Sequence, residues 1–222
     1  TYTFDADSWT IPSGELNATA AIKIDLNKIE ELGSLYDDYV LPLRITSSTG
    51  EPMGQNKYTK VLAHIGFKND YSGTYSGKGI ITQQGTTYTT EITSTQLYAI
   101  NNNICYMFVG EKTRANTPEY LNYVVEIKRD EWGGITLSSE VGSLEFKSYN
   151  SKLSRKYTYN YNDLRYYTEI TTVELAYEYL DKTQSEDLRM TFEGSFSMSR
   201  DVLRVEYPNV CLLYTSDAAD DL

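Results

Sequence analysis

The residues best placed to do chemistry are tyrosines. Tyr157-Thr-Tyr-Asn-Tyr161 sets three rings at alternate positions, so on a strand they share one face at a spacing of about 6.6 Å. Tyr166 and Tyr167 follow after a turn that holds Asn160, Asn162, Asp163 and Arg165. Rings beside Asn, Asp and Arg are the equipment of a sugar site. The ring stacks on a sugar's C–H face, and the polar groups hydrogen-bond its hydroxyls. Trp132, in the turn Glu131-Trp-Gly-Gly134, is a further aromatic candidate. Against this stands the plainer role of a tyrosine ladder that stabilises cross-strand pairs. The chain has 21 tyrosines, and most of them suit half-buried strand faces with a wet edge.

Catalytic and metal-binding patterns are missing from the sequence. The single histidine, His64, lies on a strand pattern with Leu62 and Gly66 on its own face, which fits a surface position. No Gly-x-Ser-x-Gly elbow accompanies it. Zinc would need clustered His and Cys, calcium an Asp-x-Asp-x-Asp-Gly loop, and phosphate a Gly-x-x-x-x-Gly-Lys turn before a helix. The expectation is a non-catalytic protein with no metal and no cofactor. Formal net charge is -11, which opposes a nucleic-acid partner because a phosphate backbone wants a basic stripe.

Period-2 alternation supplies the elements that position these residues. Ile22, Ile24 and Leu26 share a face, as do Leu41, Leu43 and Ile45, and then Val61, Ala63, Ile65 and Phe67. Pro42 lacks an amide donor, so its strand belongs at an edge. Asn27 to Gly33 carries cap and stop signals for one or two helical turns. Three strands are too few for an independent sandwich. From Tyr71 the chain becomes a meander, with Tyr71, Gly73, Tyr75, Gly77 and Gly79 on one face of a bent opening strand. Strands are expected at 88–100, 104–110, 120–129, 135–139, 144–149, 157–161, 166–180, 190–198 and 202–207. Such a series suits an up-and-down barrel, with a second sandwich as the alternative. Ile104-Cys-Tyr-Met-Phe-Val109 is apolar on both faces and reads as a strand buried on both sides. Cys105 is then an inert buried thiol.

The last segment, Cys211-Leu-Leu-Tyr-Thr-Ser-Asp-Ala-Ala-Asp-Asp-Leu222, resembles a translated transposase-type sequencing adapter. On that reading residues 211–222 are a non-native tail expected to be unpacked, and the natural sequence stops near Val210. Setting aside Asp217, Asp220 and Asp221 moves the net charge from -11 to -8, and Cys105 loses its apparent partner Cys211. The remaining length suffices for two small domains, read as 1–68 and 69–210.

Trp9-Thr-Ile-Pro-Ser-Gly-Glu-Leu16, Ile22-Lys-Ile-Asp25 and Tyr39-Val-Leu-Pro-Leu-Arg-Ile-Thr-Ser47 resemble a domain of uncharacterised function in Bacteroidetes surface lipoproteins encoded in polysaccharide-utilisation loci. The stretch from Tyr71-Ser-Gly-Thr-Tyr-Ser-Gly77 to Leu203-Arg-Val-Glu-Tyr207 is similar to the lipocalin-like domain that often follows it. The resemblance implies an all-β chain: a partial immunoglobulin-like sandwich, then a lipocalin-like up-and-down antiparallel barrel. It implies an outer-membrane lipoprotein at the cell surface whose anchor segment is not in this sequence. It also implies polysaccharide or oligosaccharide as ligand, with other outer-membrane glycan-uptake proteins as partners. The expected function is non-catalytic glycan binding or presentation through Tyr157, Tyr159, Tyr161, Tyr166 and Trp132. One alternative is a small-molecule carrier, which needs an open apolar cavity inside the barrel. Another is a pair of accessory domains of a glycosidase.

Overall fold

Alternation along the chain becomes strands throughout the computed structural model, which describes residues 2–25, 28, 39–49, 59–113, 118–130, 134–183 and 188–206. The chain divides into two compact units, Thr1–Gly66 and Phe67–Leu222. In the first, β1 (Tyr2–Phe4) pairs antiparallel with β2 (Ile22–Ile24), and β3 (Tyr39–Arg44) with β4 (Lys60–Ile65). Pro42 stands opposite Leu62 in a sheet that has two strands among the described residues, so each strand has an open edge for it. His64 is exposed on β4. Of the stretch 27–33 only Lys28 is described, and it is helical. The tail 211–222 lies outside the described residues.

The second unit is a nearly closed antiparallel barrel. Its strands are β5 (Gly73–Gln83), β6 (Thr89–Ala99), β7 (Ile104–Phe108), β8 (Val124–Arg129), β9 (Ile135–Ser138), β10 (Leu144–Ser148), β11 (Lys152–Tyr159), β12 (Tyr166–Asp181) and β13 (Leu188–Leu203). Each pairs with the next in sequence from β5 to β9, and β12 pairs with β13, which returns to pair with β5. β10 and β11 act as one broken strand along the same edge of β12. Leu144 to Ser148 face Asp181 to Tyr177, and Lys152 to Tyr159 face Glu174 to Tyr167. Across the remaining gap, between β9 and β11, the described residues form one bridge, Gly134–Lys152.

β12 shows why the sequence makes a barrel wall. Tyr167, Glu169, Thr171, Val173, Leu175, Tyr177, Tyr179 and Asp181 are buried, and every residue between them is more exposed. This is the strict two-residue period of a strand with one face inward. Several expected boundaries moved. Residues 118–123 form a 3-10 turn, so the strand expected from Tyr120 begins at Val124. The two strands expected at 190–198 and 202–207 are one strand, β13, because Ser199, Arg200 and Asp201 continue the ladder with β12. Tyr71 precedes β5, and a bulge between Ser76 and Gly79 interrupts the β5 face.

The interior is filled with rings. Phe192 and Phe196 lie parallel at 6.2 Å, and Tyr177 stacks on Phe192 at 4.8 Å. Glycine makes room for them. Gly79 faces Gly194 across the β5–β13 ladder. A Cβ on Gly79 would come within 2.6 Å of the Phe192 ring, and one on Gly194 within 2.8 Å of the Gly79 Cα. With Tyr71, Tyr75, Leu97, Met107, Val125 and Ile127 also buried, the interior holds side chains where a carrier would need an open cavity. β7 is buried on both faces, as its composition indicated. Cys105 and Met107 join the core, whereas Tyr106 and Phe108 pack on the outer face with Tyr98 and Tyr120.

Candidate functional site

One end of the barrel gathers most of the aromatic residues that the sequence marked. The hairpin between β11 and β12 puts Tyr159 opposite Tyr167, and Tyr157 opposite Glu169. Tyr161 sits in the turn itself, 85% exposed, with its ring 6.2 Å from that of Tyr159. Tyr159 and Tyr167 are 5.7 Å apart. Arg204, in the short 3-10 turn after β13, holds its guanidinium over both, at 5.4 and 5.0 Å.

The structure thus brings Tyr157 and Tyr159 together on the inner face of β11, with Tyr161 exposed beside Tyr159 in the turn. Tyr161 belongs to the turn because β11 ends at Tyr159. Tyr166 is out of phase with the buried positions of β12 and points away from them, near Arg165 at 5.7 Å. Tyr167, which the sequence places beside Tyr166 but which was not among the candidate site residues, takes the inward place. Trp132 lies outside the described residues.

The polar residues of the hairpin mainly hold the hairpin. The Asn160 Oδ1 accepts the backbone N–H groups of Asn162 and Asp163, at 3.0 and 3.2 Å, an Asx turn. Asp163 takes the Arg165 guanidinium in a fork, Nε to Oδ1 at 2.9 Å and Nη2 to Oδ2 at 2.6 Å, and also accepts the Arg165 backbone N–H. These bonds from Arg165 hold the Asp163 carboxyl down to about 2.

Beneath the aromatic rim, one row further into the barrel, sits a charged cluster that the sequence reading did not identify. Glu169 on β12 is completely buried. Its Oε1 receives Arg200 Nη2 from β13 at 3.0 Å and the Thr171 hydroxyl at 3.1 Å, and Arg155 Nε from β11 stands 3.9 Å away. Asp70, in the turn before β5, approaches from the solvent side. It lies 3.3 Å from Arg155 Nη1 and 3.9 Å from Arg200 Nη2. Burial works to lower the pKa of Arg155, but the charges of Glu169 and Asp70 outweigh it and the pKa is raised. Tyr157 is pushed up by burial and then by the neighbouring Glu169 charge. Tyr71, also pushed up by burial, lies within the field of Arg129 and Arg155.

Six buried side-chain atoms among the described residues have no hydrogen-bond partner: Tyr71 Oη, Arg129 Nε, Arg155 Nε and Nη2, Glu169 Oε2 and Arg200 Nε. Four of them, on Arg155, Glu169 and Arg200, belong to this cluster. A buried polar group left unsatisfied costs on the order of 1–3 kcal/mol, and more when charged, so their concentration at one place is not an accident of packing. Nearby, Cys105 is a buried free thiol pushed up to about 12 by burial, although the hydrogen bond from the Asn69 side-chain amide (3.2 Å) pulls the other way. It stays protonated and unreactive at neutral pH. No group of three or more His, Cys, Asp or Glu able to hold a metal occurs among the described residues. No helix among them is long and apolar enough to cross a membrane.

Comparison with known proteins fits this architecture. A family model for a C-terminal domain matches residues 59–197, and the model of the corresponding N-terminal domain matches residues 1–52. The chain therefore belongs to the family of that C-terminal domain. Among solved structures, a protein of unknown function from Bacteroides ovatus aligns with a TM-score of 0.73 at 19% identity, covering 90% of this chain and 68% of that one. An auxiliary nutrient binding protein from Bacteroides thetaiotaomicron VPI-5482 aligns with a TM-score of 0.60 at 17% identity, covering 77% of this chain and 59% of that one. A multidomain protein including DUF1735 from Bacteroides ovatus aligns with a TM-score of 0.55 at 16% identity, covering 64% and 61%. At these identities the likeness is one of fold. The chain spans about three fifths of the length of several of these neighbours. No curated protein matches it in sequence.

Proposed function

We propose that this chain binds glycan without catalysis, as part of a cell-surface lipoprotein of a polysaccharide-utilisation system, and presents it to outer-membrane glycan-uptake proteins. The observation that carries this reading is the rim formed by Tyr159, Tyr161 and Tyr167 under Arg204. It joins an exposed ring to two inward ones beside a cationic group, at the mouth of a rigid barrel. Rings so held can stack on sugar faces with little loss of conformational freedom. The nutrient-binding description of one structural neighbour supports a ligand-binding role. The filled interior favours the rim over the lumen as the place of contact.

The test is affinity electrophoresis of the chain through gels containing neutral and acidic polysaccharides, with Tyr159→Ala and Tyr161→Ala beside it. Retardation by at least one polysaccharide is expected. Since base-type aromatic stacking is worth about 1–3 kcal/mol, loss of either ring should weaken that binding by roughly five-fold or more. Equal mobility in every gel would remove the proposal.

A further inference from the structure

We infer that the Arg155–Arg200 pair at the end of the barrel is a carboxylate site, and that the glycan bound at the rim carries acidic sugars. This rests on the glycan reading above and names its substrate class.

Two arginines meet two carboxylates here. Arg155 and Arg200 face Glu169, which is fully buried, and Asp70, whose side chain is 56% exposed. Three of the unpartnered atoms are guanidinium nitrogens of this pair, namely Arg155 Nε and Nη2 and Arg200 Nε. Guanidinium N–H groups only donate, and their fork geometry matches a carboxylate in two parallel bonds. The guest that such donors select is an anion with planar oxygens.

Asp70 marks the way in. It is the outermost member of the cluster, and its contacts with the two arginines, 3.3 and 3.9 Å, are long for charge-assisted bonds. An incoming carboxylate takes its place against Arg155 and Arg200, and Asp70 turns to solvent. The strand register sets the rest. Arg200 pairs with Glu169, and two residues further toward the rim Val202 pairs with Tyr167, which in turn faces Tyr159. One sugar ring stacked on the tyrosines therefore lies about 7 Å from the arginine row, within reach of a carboxylate on the same or the adjoining sugar unit.

The experiment uses the full chain and a set of acidic polysaccharides (polygalacturonate, alginate, a glucuronate-containing polymer), each in its native form and after chemical reduction of its carboxyl groups to alcohols. Sodium acetate competes in a parallel arm, to separate a free carboxylate from one borne on sugar. At least one native polymer should bind, and its reduced form should bind at least ten-fold more weakly, the scale of one or two charge-assisted hydrogen bonds. Arg200→Gln should lose a similar factor. Asp70→Asn, at an exposed position that leaves the core untouched, should bind two- to five-fold more tightly, because the resident competitor is gone. Acetate should compete only weakly, since it lacks the ring. If native and reduced polymers bind alike, or Asp70→Asn and Arg200→Gln leave affinity unchanged, the carboxylate site is wrong while Tyr159-dependent binding would still uphold the rim. Binding to no polymer of either kind would overturn both, and acetate competing as well as the polymer would assign the site to free carboxylates.

Discussion

The two ends of the barrel interior solve opposite problems with the same strands. Toward the far end, β12 and β13 contribute Tyr177, Tyr179, Phe192 and Phe196, stacked over Gly79 and Gly194. The polar atoms there are few and matched, as where Tyr177 Oη accepts the Gly110 N–H at 3.0 Å. Toward the near end the same two strands contribute Glu169, Arg200 and Tyr167, and the buried polar atoms are left short of partners. A region built for stability satisfies its polar groups. The near end gives up stability for a surface that can recognise something, and the far end supplies the rigidity that lets it do so.

The contrast can be broken from either side. The largest effect is expected at the far end. Phe196→Ala should cost about 3–5 kcal/mol, read as a fall in the denaturation midpoint with an unchanged slope. If the rim is merely carried by this scaffold, glycan binding measured well below the new midpoint should persist. Glu169→Gln comes next. It leaves Arg155 and Arg200 without their buried counter-charge, and breaking such a pair costs about 3 kcal/mol, at the low end of its range because Arg200 reaches solvent. A loss as small as that of a surface substitution would mean the cluster is not buried as described. Arg204→Ala removes the cation over Tyr159 and Tyr167 and should cost roughly 1 kcal/mol in total, visible in chemical denaturation and in reduced intensity changes on ligand addition. The smallest effect concerns Asp163. Its folded pKa lies below the ordinary 3.8, so its contribution is complete above that value and disappears as pH falls through about 2. A carboxyl resonance for Asp163 that titrates near 4 would show that the hairpin clasp with Arg165 does not persist in solution.

The barrel was largely legible because its inward positions repeat every second residue, as in Val173, Leu175 and Tyr177. The errors fell where that signal is ambiguous. Ser199, Arg200 and Asp201 look like a turn, but their backbone simply continues the ladder. At the site, the tyrosines of the hairpin were visible because they are adjacent in sequence. The arginine cluster was not, because Arg155, Glu169 and Arg200 come from three strands and meet only through register. A usable signal was nonetheless present. Glu169 is in phase with Val173 and Leu175, and Arg200 with Phe196, Met198 and Val202. A charged residue in phase with core positions either costs stability or has a partner in the fold. Tyr166 misled for the same reason in reverse, being adjacent to the right residue but out of phase with it.

The seam of the barrel has a consequence of its own. A closed barrel has no edge, whereas among the described residues this one is joined across its seam by the bridge Gly134–Lys152 and by no full ladder. β9 is four residues long, and its far side carries backbone donors and acceptors that no full ladder occupies. Opening there disrupts one bridge, whereas opening at β12–β13 would break a ladder of sixteen paired positions. Amide hydrogens along β9 should therefore exchange with solvent far sooner than those of β12. The barrel is in that sense a clasp with one weak link, and the weak link meets β11 at the end opposite Tyr159.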